Sequence, residues 1–438
     1  MKTLLKSTLC SFLFLPFFTA ASVGFLSPSG VNKDFADKVD FAMINVYNAD
    51  QLRENLIIAK EHNLKIFLDL GPSINTARET KDISISYNDE NGIAQKKMFA
   101  PQEKNKLREL PVPDELNTRL NLYIPIIKEY PDNVAAIFLA DEPYLNGLNK
   151  NDLEIVAEKT RKILNDNKLE KVKLGVIFAS AMFDRDFAKT MDENSSKYVI
   201  NIDNHYKSIM KKKPTNDELE WVEAIKANRL TTYDSAGNLF TQGGIPKGFD
   251  IYTFDFYLST ILLDNLYENV ITWLSNKKLS TNCEILQGKT ISQLRNELSF
   301  FKDGPVSTTK KEIENDQRLL DALYQCRMET VTKLLKKEIE KTSPKAEIVL
   351  ISESSSNGAM EFDAQGNIEK DQPEKLVELR VLQEVQRAKK FYQDNANSNV
   401  SGIMFFLYAN EYDKTIKINI GGAAGMPAVL SEIYSIKQ

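Results

Sequence analysis

Histidine is nearly missing from this chain, occurring only as His62 and His205. That scarcity argues against metal-dependent barrel hydrolases, whose zinc sites draw on several histidines. A full Gly-x-x-x-x-Gly-Lys phosphate loop, a Gly-x-Gly-x-x-Gly fingerprint and a Gly-x-Ser-x-Gly elbow are also absent, which removes the usual signatures of nucleotide binding and of α/β-hydrolase chemistry. Positive charge is not in excess, with 56 Lys and Arg against 61 Asp and Glu. Nothing therefore points to a nucleic-acid partner, and Lys211-Lys212-Lys213 reads as a solvated loop. No repeat of fixed period is present. Beyond the N-terminal stretch no uninterrupted apolar run is long enough to span a membrane.

Cysteine is sparse as well, with three in the chain. Cys10 falls within the N-terminal stretch and is followed by further apolar residues, unlike a lipid-bearing lipoprotein cysteine. Residues 1–21 have the pattern of a secretory signal peptide: a basic start at Lys2 and Lys6, an apolar stretch from Leu9 to Phe18, and the small residues Thr19-Ala20-Ala21 for cleavage near Ala21. The expected mature product is exported, periplasmic or secreted, and not membrane-embedded. Export would allow Cys283 and Cys326 to pair; otherwise they are two separate buried thiols.

The remaining chain, in a sequence that is 42% hydrophobic, carries apolar, β-branched or aromatic runs at Val23-Leu26, Phe41-Tyr47, Lys65-Leu70, Val134-Ala140, Val172-Ala179, Phe249-Tyr257, Glu347-Ser352 and Gly402-Tyr408. Amphipathic helical patterns separate several of them. Asn48 or Asp50 caps one that ends near Asn63, Asp114 opens another in which Pro125 implies a kink or a later start, and Asn149 or Asn151 opens a third. The run from Glu374 to Tyr392 precedes the last strand. Strands alternating with helices predict a parallel sheet, and eight of them predict a (β/α)8 TIM barrel, one domain over 22–438. Three stretches exceed the minimal barrel and read as insertions: 72–113, with a hairpin around Asn88-Gly92; 183–247; and 275–343, with a charged helix near Lys310 to Lys341. Tyr198-Asp203 is an alternative sixth strand, although Gly248-Tyr252 is the stronger candidate.

Two acidic triplets close buried strands, Asp141-Glu142-Pro143 after the fourth and Ser352-Glu353-Ser354 after the seventh. Carboxylates at the C-terminal ends of barrel strands stand where barrel enzymes do their chemistry, and two of them make a general acid and a nucleophile. With those residues in those places, the sequence resembles the clan of retaining glycoside hydrolases built on (β/α)8 barrels. The resemblance implies Glu142 as acid/base and Glu353 as nucleophile, with Tyr257 touching the nucleophile, a carbohydrate substrate, and neither cofactor nor metal. The clan usually has Asn before the acid/base; this chain has Asp141, which when ionised accepts hydrogen bonds but cannot donate them. Like-charge repulsion from Asp141 and Glu353 is expected to raise the Glu142 pKa. Tyr47, Tyr144, Tyr206 and Tyr408 are candidates for stacking on sugar faces, Asp69 and Asn410 for binding hydroxyls. Two other readings stand beside this one. Asp141-Glu142 also resembles the pair used by substrate-assisted hexosaminidases, which would make Glu353 dispensable. The chain is otherwise a barrel that binds glycan or protein without turnover.

Overall fold

The structure, a computed structural model, describes residues 22–77, 84–88, 94–98, 108–143, 148, 150–179, 245–256, 317–359, 373–395, 400–413 and 418–437. Its centre is a closed barrel of eight parallel strands: β1 Ser22–Leu26, β2 Phe41–Asn45, β3 Lys65–Asp69, β4 Val134–Asp141, β5 Lys173–Ala179, β6 Ile251–Phe256, β7 Glu347–Glu353 and β8 Val400–Phe406. Spatial order follows chain order, and β1 meets β8 to close the ring, Ser22 opposite Gly402. Each strand overlaps the apolar run that predicts it; β1 and β8 begin one and two residues earlier, and β4 and β7 end one residue later. β5 pairs directly with β6, Ile251 opposite Gly175, so the ring closes without Tyr198-Asp203, which lies outside the described residues.

These runs read as continuous rather than alternating because each strand is buried on both faces. The interior of the barrel is filled by Phe41, Met43, Phe67, Phe138, Ile177, Ile251, Val349, Ile351 and Met404. The opposite face of each strand, such as Phe25, Ile44, Leu68, Phe178, Phe254, Leu350 and Phe405, packs in a second and larger cluster with the helices. The Phe41 and Phe67 rings stack with centroids 4.6 Å apart, and Phe138 follows at 5.5 Å from Phe67. Space for these rings comes from glycine. A Cβ on Gly175 would lie 2.5 Å from the Phe138 ring, and one on Gly24 would lie 2.6 Å from the Phe41 carbonyl oxygen. Because the neighbour at Gly24 is backbone and cannot rotate away, Gly24→Ala is expected to destabilise the barrel by about 1–3 kcal/mol. The check is the urea midpoint; an unchanged midpoint would show that β1 and β2 can separate at no cost.

Helices surround the ring: α1 Lys33–Ala36, α2 Ala49–Glu61, α3 Gly71–Ile74, α4 Pro113–Leu120, α5 Ile124–Glu129, α6 Lys150–Asp166, α7 Gln317–Thr342, α8 Glu374–Asn395 and α9 Pro427–Tyr434. Asn48 caps α2, its Oδ1 accepting from the Gln51 N–H at 2.9 Å. The helix expected from Asp114 starts one residue earlier, at Pro113. Of the two readings of Pro125 the later start holds: it sits in the first turn of a separate helix, α5, where its missing N–H costs nothing. In the region read as the first insertion, strands Ser84–Asn88 and Ala94–Met98 pair antiparallel on either side of the expected turn.

Of the third stretch read as an insertion, residues 275–316 lie outside the described residues. The charged helix assigned to it is α7, an ordinary barrel helix ahead of β7 whose Tyr324, Met328, Val331, Leu335 and Ile339 are buried in the main core. Cys326 lies on this helix and Cys283 outside the described residues. Among the described residues no helix is long and apolar enough to cross a membrane.

Candidate active site

All eight strands run the same way, so their C-terminal ends ring one mouth of the barrel. Side chains alternate between interior and exterior along each strand, which fixes what the mouth presents. Two residues beyond the interior Met43, Phe67 and Ile351 come Asn45, Asp69 and Glu353. The alternation on β7 has an independent marker: the Ser352 Oγ lies 3.3 Å from the Tyr324 hydroxyl on α7, outside the barrel, so Glu353 points inward.

On β4 simple alternation would fail. Phe138 is interior, so Ala140 would be the next interior residue and Asp141 would face out. The pairing with β5 slips here, however. Phe138 lies opposite Gly175 and Asp141 opposite Ile177, three steps on one strand against two on the other. This bulge places both Leu139 and Ala140 in the outer cluster and turns Asp141 into line with the interior Ile177. The chain then turns sharply. Glu142 adopts φ +41, a region that non-glycine residues seldom occupy, and its N–H donates to the Ile177 carbonyl at 3.0 Å. Pro143 follows.

The electrostatics of the mouth are those of crowded acids. Asp69 is buried, with its Oδ1 accepting from the Gly71 N–H at 2.9 Å; burial pushes its pKa up to about 7 and that single hydrogen bond only partly opposes the rise. Asp141 opens onto the mouth as the exposed end of β4. Protein atoms nonetheless crowd its carboxyl, and desolvation, followed by the charges of Glu142 and Asp69, holds its pKa well above the usual carboxylate range. Repulsion between the neighbouring acids is thus felt at Asp141.

Glu353 is wholly buried. One oxygen, Oε1, is well provided for, accepting from Ser354 N–H at 3.1 Å, Ser355 N–H at 2.9 Å and Ser355 Oγ at 2.7 Å. The other, Oε2, is buried without a hydrogen-bond partner. Burial raises this carboxyl to about 8 against the serine hydrogen bonds, with the buried Glu384 of α8 adding to the rise. The loop that supplies the serines is fixed from the far end of the chain, since Ser356 N–H donates to the Gly421 carbonyl and Gly421 N–H to Ser356 Oγ, each at 2.7 Å.

The remaining candidates divide. Tyr47, just past β2, is 58% exposed at the rim of the mouth, with its hydroxyl accepting from Asn45 Nδ2 at 3.2 Å. Tyr408 is not at the mouth. It is 3% exposed and packs edge-on against Phe25 and Phe35 with ring centroids 5.1 and 4.6 Å apart, because an aromatic just past β8 finds more apolar contact between β1 and α1 than in an acidic mouth. Asn410 spends its Oδ1 on the Gly422 N–H at 2.9 Å and so braces the loop past β8. Tyr144, Tyr206 and Tyr257 lie outside the described residues.

Asp250, at the start of β6, pairs with Arg161 at the opposite end of the barrel. Asp255, one step past the exterior Phe254, is inward and half-buried at the mouth. Among the described residues no group of three or more His, Cys, Asp and Glu is arranged to hold a metal ion.

No protein-family model matches the chain, and no curated protein matches it. Solved structures do. It is similar to an endo-β-mannanase/endo-β-glucanase from Prevotella bryantii, at 8% identity and TM-score 0.40, over 95% of this chain and 48% of that one. A glycoside hydrolase family 5 enzyme from Prevotella bryantii B14 matches at 8% identity and TM-score 0.40, over 95% and 96% of the two chains. A family 1 β-glucosidase from Thermotoga maritima matches at 10% identity and TM-score 0.35, over 92% of this chain and 85% of that one. This chain thus spans about half the length of the first of these proteins and most of the length of the other two.

Proposed function

We propose that the protein is an exported glycoside hydrolase that cleaves an O-glycosidic bond with retention, Glu142 serving as acid/base and Glu353 as nucleophile. One observation carries the reading: Glu142 directly follows β4 and Glu353 ends β7 of a closed barrel, so both belong to the same mouth, with Glu353 directed inward. In the first step the Glu142 carboxylic acid gives its proton to the glycosidic oxygen while the Glu353 carboxylate bonds to the anomeric carbon and the leaving sugar departs. In the second, Glu142 takes a proton from water, the water oxygen bonds to the anomeric carbon, and Glu353 leaves as carboxylate. The test is incubation with aryl glycosides and neutral polysaccharides, following the anomeric configuration of the first product by NMR. Retention supports the reading; inversion, or ligand binding with no turnover, sinks it.

The buried nucleophile gives the reaction a pH signature. Glu353 must be ionised to attack, and in the free protein it holds its proton up to about pH 8. The rising limb of kcat/KM is therefore expected near pH 8, since that parameter reports the free enzyme. Sugar hydroxyls donating to Oε2 favour the ionised form, so the corresponding limb of kcat lies at lower pH. A kcat/KM limb at pH 5 would contradict a nucleophile held in this environment.

A second reading is favoured by the fact that Asp141, not Glu353, is the carboxyl open to the mouth. In a substrate-assisted mechanism Asp141 orients the substrate's acetamido group, Glu142 is the acid, and Glu353 is a spectator. Full activity of Glu353→Ala on an N-acetylhexosaminide would establish this mechanism in place of the first.

A further inference from the structure

The serines that follow Glu353 look alike in sequence and have different partners in the structure. Ser354 is buried and sends its hydroxyl away from the acid, to the Leu407 carbonyl at 3.4 Å. Its N–H is shared between the Phe406 carbonyl and Glu353 Oε1. Ser355, equally buried, gives Glu353 both of its donors: the N–H reaches Oε1 at 2.9 Å and the hydroxyl reaches the same oxygen at 2.7 Å. That hydroxyl is aimed, because its own oxygen accepts from the Asn357 N–H at 3.2 Å. Ser356 is tied to Gly421 through both its N–H and its hydroxyl, which holds the loop in place. A carboxylate oxygen offers about two lone-pair sites. Three donors fill Oε1, whereas Oε2 has no hydrogen-bond partner. The two oxygens of one carboxyl are thus unequal, and most of the inequality comes from Ser355.

We propose that Ser355 is a positioning residue for the nucleophile: it ties Oε1 to the protein and leaves Oε2 as the oxygen that bonds to the anomeric carbon. The inference rests on the reading of Glu353 as nucleophile. In the first step the bond from Oε2 to the anomeric carbon forms as the bond to the leaving oxygen breaks. The leaving oxygen takes the Glu142 proton, and Oε1 becomes the ester carbonyl with its donors still in place. Ser355 also acts on the protonation of the acid, since its hydroxyl and its N–H favour the ionised form against burial. Among the described residues, the charged and titratable groups on the elements around this end of β7 are Asp255 of β6, Tyr324 of α7, Glu384 and Arg387 of α8, and Glu411 past β8. Exchanging a serine hydroxyl removes none of them.

The test uses the full chain and the aryl glycoside that the wild type turns over. In Ser355→Ala the rising limb of kcat/KM is expected to move up by about one pH unit, the scale of one hydrogen bond to a charged group. Its kcat should fall at least about tenfold. Ser355→Cys, which keeps the size and offers only a weak donor, should move the limb in the same direction. Ser354→Ala removes a buried hydroxyl one residue away; it should lower the thermal midpoint and leave the limb where it is. A limb that neither Ser355 variant moves, or that Ser354→Ala moves as far, overturns the proposal. In a crystal structure of the enzyme trapped with the matching 2-deoxy-2-fluoro glycosyl fluoride, the ester is expected to run through Oε2, with Oε1 still bonded to Ser355. An ester through Oε1 overturns the proposal as well.

A measurement without substrate separates this inference from the glycosidase reading. The stability that Glu353→Gln gains over its parent is expected to level off near pH 8 in the wild-type background. Beside Ser355→Ala it should level off about one pH unit higher, because the carboxyl has lost a donor to its ionised form. If that shift is present and no glycoside is cleaved, the glycosidase reading has failed while the hold of Ser355 on Glu353 stands. If glycosides are cleaved and the shift is missing, the role of Ser355 alone has failed.

Discussion

Glu353→Gln is expected to abolish turnover and to make the protein more stable. The catalytic loss should be on the order of 10⁴-fold in kcat, the scale on which removal of a covalent nucleophile is felt. The stability gain follows from burial. In the folded protein Glu353 keeps its proton up to about pH 8, whereas the ordinary value for the unfolded chain is 4.5. Between those pH values the native state binds more protons than the unfolded state, so stability falls as pH rises. The contribution of the protonated group is complete below about pH 4.5 and is lost as pH climbs through 8. Glutamine carries no such charge and keeps the carbonyl acceptor for Ser354 and Ser355. The variant should therefore match the wild type near pH 4.5 and exceed it above pH 8 by an amount on the order of a few kcal/mol. Thermal midpoints at pH 4.5 and 8.5 provide the check, and a variant that is less stable at pH 8.5 would show that the buried carboxylate is well compensated. Catalysis has its own control: azide supplied to Glu353→Ala should attack the anomeric carbon from the vacated side and give the glycosyl azide of inverted configuration.

Glu142→Gln separates acid catalysis from nucleophilic attack. With a sugar as leaving group, the missing proton should cost about 10²- to 10⁴-fold in kcat. With a dinitrophenyl glycoside the leaving oxygen needs no proton, and the first step should proceed almost as in the wild type. Deep and equal losses with both leaving groups would refute the acid role. The backbone at this position adds a further expectation. Because Glu142 sits at φ +41, Glu142→Gly should raise stability by about 1 kcal/mol while lowering activity as the Gln variant does. Strain held at a residue proposed to do the chemistry would thereby be visible as a trade of stability against turnover.

The barrel was legible because its strands are buried on both faces, so that runs such as Val134-Ala140 stand out from the charged helices between them. Asn48 was legible for a local reason: a capping side chain needs only the next turn of helix. The shared mouth of the two candidate glutamates was legible to the extent that Glu142 and Glu353 follow two of those runs. What escaped depended on contacts distant in sequence. Leu139 and Ala140 look like a continuing strand, and nothing in them announces the slip against β5 that turns Asp141 inward. The lysines and glutamates of α7 disguise a stripe from Tyr324 to Ile339 that packs on the barrel. Tyr408 follows β8 as a binding residue would, yet its ring is claimed by Phe25 and Phe35 from the other end of the chain. The hydrogen bonds to Glu353 come from Ser354 and Ser355 next to it, but its burial does not follow from that polar sequence.

The seam between β1 and β8 imposes a timetable on synthesis. Ser22, at the head of β1, donates its N–H to the Tyr392 hydroxyl across 370 residues of sequence, and the strand's partner along the seam is still later in the chain. A growing polypeptide therefore carries an unsatisfied strand edge near its front until nearly everything else has been made, and the Gly421 clamp on the Ser354–Ser356 loop comes later again. Such a chain stays open, and its reactive carboxyls unassembled, for most of the time it spends on the ribosome. If the protein is exported as proposed, late closure keeps the chain unfolded during the interval when translocation requires it.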